Sequence, residues 1–389
     1  MTNNAPLSIR EIDLTIKKEG ANLFASQKDI QFIPSVLSPI KRYVFGSGAY
    51  AAVFKGTVNF EFKAIRIFLN PFETDIERLR KINNYLASIQ MSQLVKTNFL
   101  MHEFKLNENK YPVQIMDWVT GDLLNKFVLN NLSDPIILNM LQIELVKLHR
   151  DLENNNIGHG DIQSGNILVN YQNNQISLKL IDYDGMFVPG LEGENALETG
   201  RTEFQHPQRT VKFFNAKIDR FSIWVILSAL EILKFKPEFW NTSLNGGFNN
   251  GDNFLFTLGD FQNPASSKLF DKINSMNIAS ISFYTNKLRT FCSGKIDNID
   301  MPVMFNDNND LNHNIIKEST IDLSESTILI TSNVDNTFAL NGALQKIGNL
   351  PLTLNYSTYL NKTITISTGS KFKRITIDHY VKVIHVDFE

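Results

Sequence analysis

The chain of 389 residues has one cysteine, Cys292. A lone thiol builds neither an internal disulfide framework nor a thiolate metal site, so disulfide-scaffold and zinc-ribbon classes are excluded. Excess charge is also missing, because 38 Lys and Arg face 40 Asp and Glu and leave a net charge of -2. No basic arm or basic helix face stands out, which argues against nucleic acid as a partner. Long hydrophobic runs are absent too. The longest, over about 221–233, is broken by Ser228 and Glu231 and is too short to span a bilayer. Met1-Thr2-Asn3-Asn4 is not followed by the apolar core of a signal peptide. Together these absences predict a cytoplasmic protein with no membrane partner.

A hydrophobic content of 43% over this length fills a sizeable core and suits two or three domains. Residues 1–38 are mixed and polar, with a short amphipathic piece from Ile9 to Ile16, and read as an N-terminal extension. From about 40 the pattern is β-like: Arg42 to Phe45, Ala52 to Gly56 and Phe62 to Phe68. Glu73 to Gln90 reads as a helix, and Phe99 to Leu106 and Val113 to Val119 as two more strands. The expectation is a five-stranded antiparallel sheet with one helix. From Asp122 to about 293 the pattern turns helical. Strands first and helices second predict an α+β layout of two unequal lobes with a cleft between them. The Asn- and Asp-rich stretch 294–318 reads as a polar linker. Residues 319–389 alternate as short strands separated by Asn and Gly, a small β-rich module for which an immunoglobulin-like sandwich is one reading.

Chemistry concentrates in two segments. His159-Gly160-Asp161-Ile162-Gln163-Ser164-Gly165-Asn166 carries Asp and Asn five positions apart, and Leu178-Lys179-Leu180-Ile181-Asp182-Tyr183-Asp184-Gly185 follows. Phosphoryl transfer from a nucleoside triphosphate needs such a set: an Asp to accept the proton of the attacking hydroxyl, and an Asn with a second Asp to hold Mg²⁺. Asp161, Asn166 and Asp182 fit these roles. Asp184 competes with Asp182 for the metal, but the strand-like run Leu178 to Ile181 leads straight into Asp182 and favours it. His159 reads as a brace for the loop. Upstream, Gly46-Ser47-Gly48 lies between two strands, where glycines let a hairpin backbone approach phosphates. In Lys63-Ala64-Ile65-Arg66, alternation puts Ala64 and Arg66 on one face and Lys63 on the other.

Over about residues 39–293 these motifs resemble the eukaryotic-like (Hanks-type) protein kinases of bacteria. Further segments carry the likeness: Leu148-His149, then Gly200-Arg201-Thr202-Glu203-Phe204-Gln205-His206-Pro207-Gln208, then Asp219-Arg220-Phe221-Ser222. The stretch Asp182 to Pro189 with Phe204 to Pro207 is also similar to a group of kinases encoded beside von Willebrand A and PP2C-type phosphatase proteins in tellurite-resistance-associated loci. The resemblance implies a bilobal fold with a small β-rich N-lobe and a large helical C-lobe, and ATP with Mg²⁺ as cofactors. It implies a protein substrate, with a PP2C-type phosphatase and a von Willebrand A-type protein as candidate partners. Gly46, Gly48, Val53, Ala64, Met116, Leu168 and Ile181 would line the nucleotide. The Asp117 carbonyl and Val119 amide would bond adenine, and Arg66 would contact phosphates, with Glu77 first and Glu73 second as its helix partner.

Four departures matter. Arg66 stands where the family has Lys, and a guanidinium is wider and prefers bidentate geometry. Gly160 replaces an Arg that usually pairs with a phosphorylated segment, which argues against that switch. Gln163 replaces a Lys near the γ-phosphate. Gln208 replaces Glu, reducing an ion pair with Arg289 to a neutral hydrogen bond. The leading expectation is an active protein Ser/Thr kinase. A nucleotide-binding pseudokinase scaffold stands second, and a small-molecule kinase of the aminoglycoside/choline type third. The interval from Asp182 to Asp219 leaves room for a substrate-peptide platform and disfavours the third.

Overall fold

The computed structural model describes residues 7–35, 42–47, 51–69, 73–305, 327–334, 336–341, 345–359, 362–377 and 383–386. The chain is α+β and divides into two compact units, Met1–Asp310 and Leu311–Glu389.

The larger unit opens with helix α1 (Ile9–Glu19), followed by strands β1 (Gln31–Phe32), β2 (Val44–Ser47), β3 (Ala51–Val58) and β4 (Glu61–Phe68). Helix α2 (Glu73–Ser88) and strands β5 (Thr97–Leu106) and β6 (Asn109–Asp117) come next. The sheet runs β1-β3-β4-β6-β5, with β2 also on β3. It has six strands rather than the expected five, because Gln31 and Phe32 pair with Thr57 and Gly56. Alternation decides the two faces. Ala52, Phe54, Ile65 and Ile67 turn to one side, where Ile12 and Ile16 of α1, one helical turn apart, cover them. Apolar residues of the N-terminal stretch 7–32 are therefore part of this core. Ala51 and Phe68 turn to the other side and meet Leu79 of α2 and Phe99. Arg66 shares the parity of Phe68, so β4 sends it away from the α1 face.

After β6 the chain becomes helical, with β7 (Asp122–Leu123), α3 (Leu124–Asn130) and α4 (Pro135–Asn154). Asp134 caps α4 by accepting from the Ile136 and Ile137 amides, and Pro135 sits where no amide is needed. The hairpin β8 (Ile167–Gln172) and β9 (Gln175–Leu180) pairs with β7. Then come α5 (Arg220–Phe235), α6 (Leu258–Gln262), α7 (Lys268–Asn274) and α8 (Ala279–Ser293). Helix α5 is apolar on all sides, and every residue from Phe221 to Leu233 is buried, as such a helix must be. Its one charge in that span, Glu231, meets Lys234 at 2.5 Å and accepts from Gln142 at 3.1 Å.

The stretch from 294, expected as a linker, starts out packed. Ile299 is buried, the Trp224 indole donates to the Asp300 carbonyl at 2.9 Å, and Arg220 donates to the Ile299 carbonyl at 2.7 Å. Its Asn and Asp content hid four apolar anchors, Ile296, Ile299, Met304 and Phe305, that join the helical core. The rest of that stretch, 306–318, lies outside the described residues.

The smaller unit holds β10 (Thr327–Ser332), β11 (Phe338–Leu340), β12 (Lys346–Asn349), β13 (Leu352–Asn355), the short helix α9 (Tyr356–Tyr359), β14 (Lys362–Ser367), β15 (Phe372–Ile377) and β16 (Val383–Val386). Three strands are ordered β13-β10-β16, with β10 and β16 parallel, and four are ordered β12-β11-β14-β15. Ile330, Leu354 and Val386 from the first sheet pack with Ala339, Ile364 and Ile366 from the second. Among the described residues, no helix is long and apolar enough to cross a membrane.

An ion pair ties the end of α4 to the start of α5. Glu153 accepts from Arg220 Nε at 2.6 Å and Nη2 at 2.8 Å, and His149 Nε2 stands 2.9 Å away. Burial alone would raise the Glu153 carboxyl, but Arg220 and His149 outweigh it and hold the pKa at about 2. A depressed carboxyl stabilises the fold above its unfolded pKa, and that stability is lost as the pH falls through the folded one. Glu153→Gln should cost about 3 kcal/mol at neutral pH. It should also flatten the fall in thermal midpoint between about pH 5 and pH 2. Parallel midpoint curves for the two proteins would refute this assignment.

Candidate functional site

The site lies where β4 meets the loop after β9. The β4 register sets Arg66 opposite Val53 on one side and Gln114 on the other. From there its guanidinium forks onto two aspartates. Nη1 donates to Asp184 Oδ1 at 2.5 Å and Nη2 to Asp184 Oδ2 at 2.6 Å, while Nη2 also donates to Asp182 Oδ1 at 3.0 Å. Arg66 is 12% exposed and Asp184 16%, so the pair is largely shielded, whereas Asp182 is 49% exposed. Burial works against the charge on Arg66, but the two carboxylates more than offset it and raise its pKa. Lys63 goes elsewhere, 2.7 Å from both Glu61 and Asp117.

The expected helix partner is thus replaced. Glu77 is exposed on α2 and pairs with Arg80 three residues on, at 2.6 Å. The side chain of Glu73 lies outside the described residues. An acid in the loop takes the place of an acid on the helix, because Asp184 reaches the fork with both oxygens. Asp182 itself has φ +67°, a left-handed conformation that Asp tolerates better than most residues.

Asp161 sits on the loop before β8. Its Oδ2 accepts from the Asn166 amide at 2.9 Å, and the same amide also donates to the Asp161 carbonyl at 2.9 Å. Oδ1 accepts from the Arg201 backbone amide at 2.8 Å. The Asn166 carbonyl accepts from the Ile181 amide at 3.0 Å, which sets Asn166 beside the approach to Asp182. Asp219, 1% exposed at the start of α5, fixes the loop from below by accepting from the His159 amide at 2.5 Å and the Gly160 amide at 2.9 Å. Burial pushes the Asp219 carboxyl up, against the pull of His159 and these amides. The His159 ring is buried, with Nε2 at 3.0 Å from the Ile181 carbonyl. It braces the loop against the strand end.

Two glycines permit this convergence. At Gly160 φ is +83°, and a Cβ would lie 2.5 Å from the Gly185 carbonyl. No side chain fits there, so the absence of an arginine at this position follows from backbone contact. At Gly200 φ is +74°, and a Cβ would lie 2.7 Å from Asp161 Oδ1. Gln163 also turns inward, its Oε1 accepting from the Gly165 amide at 2.8 Å. It shapes the loop instead of reaching outward. Gln208 makes no bond to Arg289, whose guanidinium stacks 5.1 Å over Phe270.

The remaining predicted positions are distributed as follows. Ala64, Val119 and Ile181 are half-buried against the helical core and Met116 is buried within it, while Val53 and Leu168 are half-buried. Gly46 is exposed at the end of β2, with open space where a Cβ would be. Gly48 lies outside the described residues. The Asp117 carboxylate is held by Lys63.

One acid at the site escaped the sequence reading. Glu198 is exposed overall, yet its Oε1 points inward to 3.7 Å from where a Cβ on Gly185 would lie. Partial burial of this carboxyl, with negative charge from Asp161, Asp182 and Asp184, raises its pKa, against the pull of Arg66. Asp161, Asp182, Asp184 and Glu198 thus share one electrostatic environment with Arg66. Among the described residues, no group of three or more His, Cys, Asp or Glu side chains is arranged to hold a metal by itself. The cation between Asp182 and Asp184 is the guanidinium.

No protein-family model matches the chain, and no curated protein matches it significantly.

Because Asp184 and Arg66 are both shielded, removing either takes a two-point ion pair away from a largely buried charge. Arg66→Met and Asp184→Asn should each destabilise the protein in urea denaturation, and the double variant should cost less than the sum. A coupling of about 1–3 kcal/mol is expected, and additivity would refute it. Gly200→Ala should displace the Arg201 amide from Asp161 and lower the thermal midpoint, whereas Gly46→Ala, which meets open space, should leave it nearly unchanged.

Proposed function

We propose that residues 39–293 form a bilobal, protein-kinase-like domain acting as an ATP- and Mg²⁺-dependent protein Ser/Thr kinase. The observation that carries this reading is the meeting of Asp161, Asn166, Asp182 and Arg66 at one junction, from three separate stretches of chain. Asp161 is the acceptor for the substrate hydroxyl proton. Its oxygens each take one hydrogen bond from Asn166 or Arg201, and a carboxylate has about four lone-pair sites, so acceptor capacity remains. As that proton leaves, the hydroxyl oxygen bonds to the γ-phosphorus and the bond to the ADP oxygen breaks.

The donor set suits Mg²⁺, an oxygen-seeking ion that takes one or two protein carboxylates and completes its shell with water and phosphate. Asn166 Oδ1 and the exposed half of Asp182 would hold it, and it would neutralise charge on the transferring phosphoryl group. Arg66 supports phosphate binding because its fork fits phosphate oxygens as it fits carboxylates. Ala64, Met116 and the chain at Asp117 and Val119 would border adenine. A protein substrate is favoured over a small molecule by the length of folded chain between Asp182 and Asp219. The PP2C-type phosphatase and von Willebrand A-type partners are proposals carried by the resemblance alone.

One feature favours a second reading, a nucleotide-binding scaffold without transfer. Arg66 rests on the carboxylates that would face Mg²⁺, and Gln163 brings no charge to the phosphate. Purified protein incubated with Mg²⁺ and γ-labelled ATP, with and without a generic protein substrate, separates the two. Label on protein that disappears in Asp161→Ala and Asp182→Ala is expected. Nucleotide-dependent thermal stabilisation without transfer would leave the scaffold, and no stabilisation at all would sink both. Arg66→Lys should lower transfer at least tenfold, since an ammonium cannot bridge the aspartates with a planar fork. A rise would show that the arginine is a defect.

A further inference from the structure

A second charged junction lies away from the Arg66 fork. Arg78 on α2 is 9% exposed at its side chain. Its Nη2 donates to Glu194 Oε2 at 2.8 Å and to the Asn195 carbonyl at 2.7 Å, and its guanidinium stacks 5.1 Å over Phe214. Lys81, on the same helix face three residues on, lies 3.1 Å from Glu194 Oε1 and donates to the Gly190 carbonyl at 3.3 Å. Arg78 Nη1 is buried without a hydrogen-bond partner among the described residues. Burial would raise the Glu194 carboxyl, but Lys81 and Arg78 outweigh it and hold it below its usual range.

The segment between the two ends of the site is pinned at three more places. Phe187 and Gly158 exchange backbone bonds at 2.7 and 3.0 Å, Ala196 donates to the Val211 carbonyl at 2.8 Å, and Arg201 donates to Asp161 at 2.8 Å. Between the first two of these, Glu194 is the charged side chain that fastens the segment to α2. Two cations facing one stretch of chain suit a phosphoryl group carrying about -1.5 to -2. Here a carboxylate of the chain already fills that place. Its loss would leave Arg78 buried without its ion-pair partner, which is strongly disfavoured.

We propose that Glu194, clamped by Arg78 and Lys81, is a permanent latch that docks residues 187–201 on α2 and holds the site in working order without phosphorylation of that segment. Arg78 and Glu194 are positioning residues and touch no substrate. The docking claim stands on geometry alone, whereas the link to catalysis rests on the kinase reading above.

Hydrogen–deuterium exchange on the full chain, beside nucleotide binding and γ-phosphoryl transfer, tests both. Glu194→Gln removes the charge but keeps the size of the side chain and a hydrogen-bond acceptor for Arg78, so it disturbs folding less than Arg78→Met. Exchange in 187–201 should quicken at least tenfold while α5 stays protected. ATP affinity should hold within about twofold. Transfer should lose at least tenfold in kcat with little change in KM for ATP, and Glu194→Asp should recover part of both effects. Unchanged exchange in Glu194→Gln overturns the latch. Faster exchange with unchanged kcat overturns its positioning role. Protection that depends on phosphate at Thr199, read by mass spectrometry and phosphatase treatment, overturns its independence from phosphorylation. If the wild-type protein transfers no phosphoryl group, the kinase reading fails while the exchange result still decides the latch.

Discussion

A guanidinium cannot be nine-tenths buried unless carboxylates meet it, and carboxylates cannot crowd together unless a cation stands among them. The Arg66 fork satisfies both conditions at once. Strand β4 fixes where the arginine emerges, and its three bonds fix where the loop after β9 must run. Asp161 and Glu198 stand in the same acidic space, and burial together with that crowding raises the Glu198 carboxyl. The sheet and the helical part share their hydrophobic boundary through Ala64 and Met116, but apolar contact has no preferred register. The directional bonds of Arg66 supply the register.

Beneath the fork, backbone contacts set the geometry. Asp219 takes two loop amides, Gly160 lets the loop touch the Gly185 carbonyl, and Gly200 brings the Arg201 amide onto Asp161. Each contact leaves no room for a side chain or leaves no donor unpaired. A residue that looks like a loss beside the resembled family, Gly160 in place of arginine, is here a steric requirement. Gln163 is similar: it spends its side chain on the Gly165 amide. Departures of this kind speak to how the loop is built, and they do not by themselves count against chemistry.

Local pattern made much of this legible. Alternation found β3 through β6, and helical spacing found α2 and the buried α5, because burial of one face or of all faces follows a fixed period. The spacing of Asp161, Asn166 and Asp182 was readable because a loop and a strand end present them in order. What stayed hidden depends on where distant segments run. On the strength of the resemblance Glu77 is the expected helix partner of Arg66, yet it faces solvent beside Arg80. Glu194 and Glu198 belong to no motif, and only the fold brings α2 and Gly185 to them. Ile299 was masked by its Asn- and Asp-rich surroundings, since composition averages away single anchors.

Arginine in place of lysine at position 66 changes what can compete for the site. A single ammonium bound to one carboxylate is exchanged readily in water. A planar fork holding two oxygens of Asp184 and one of Asp182 gives way only to a ligand that offers several oxygens in comparable geometry and more negative charge. A triphosphate does so, and a monovalent anion does not. A ligand shifts such an equilibrium only by its differential affinity for the two arrangements. On the proposed reading, the resting pair therefore acts as a threshold. Without such a ligand the guanidinium offsets part of the charge of the acidic cluster, and Asp182 would be freed to hold a metal if phosphate oxygens replaced the carboxylates on Arg66. On the same reading, the proposed latch at Glu194 would hold the intervening segment in place while that exchange occurs.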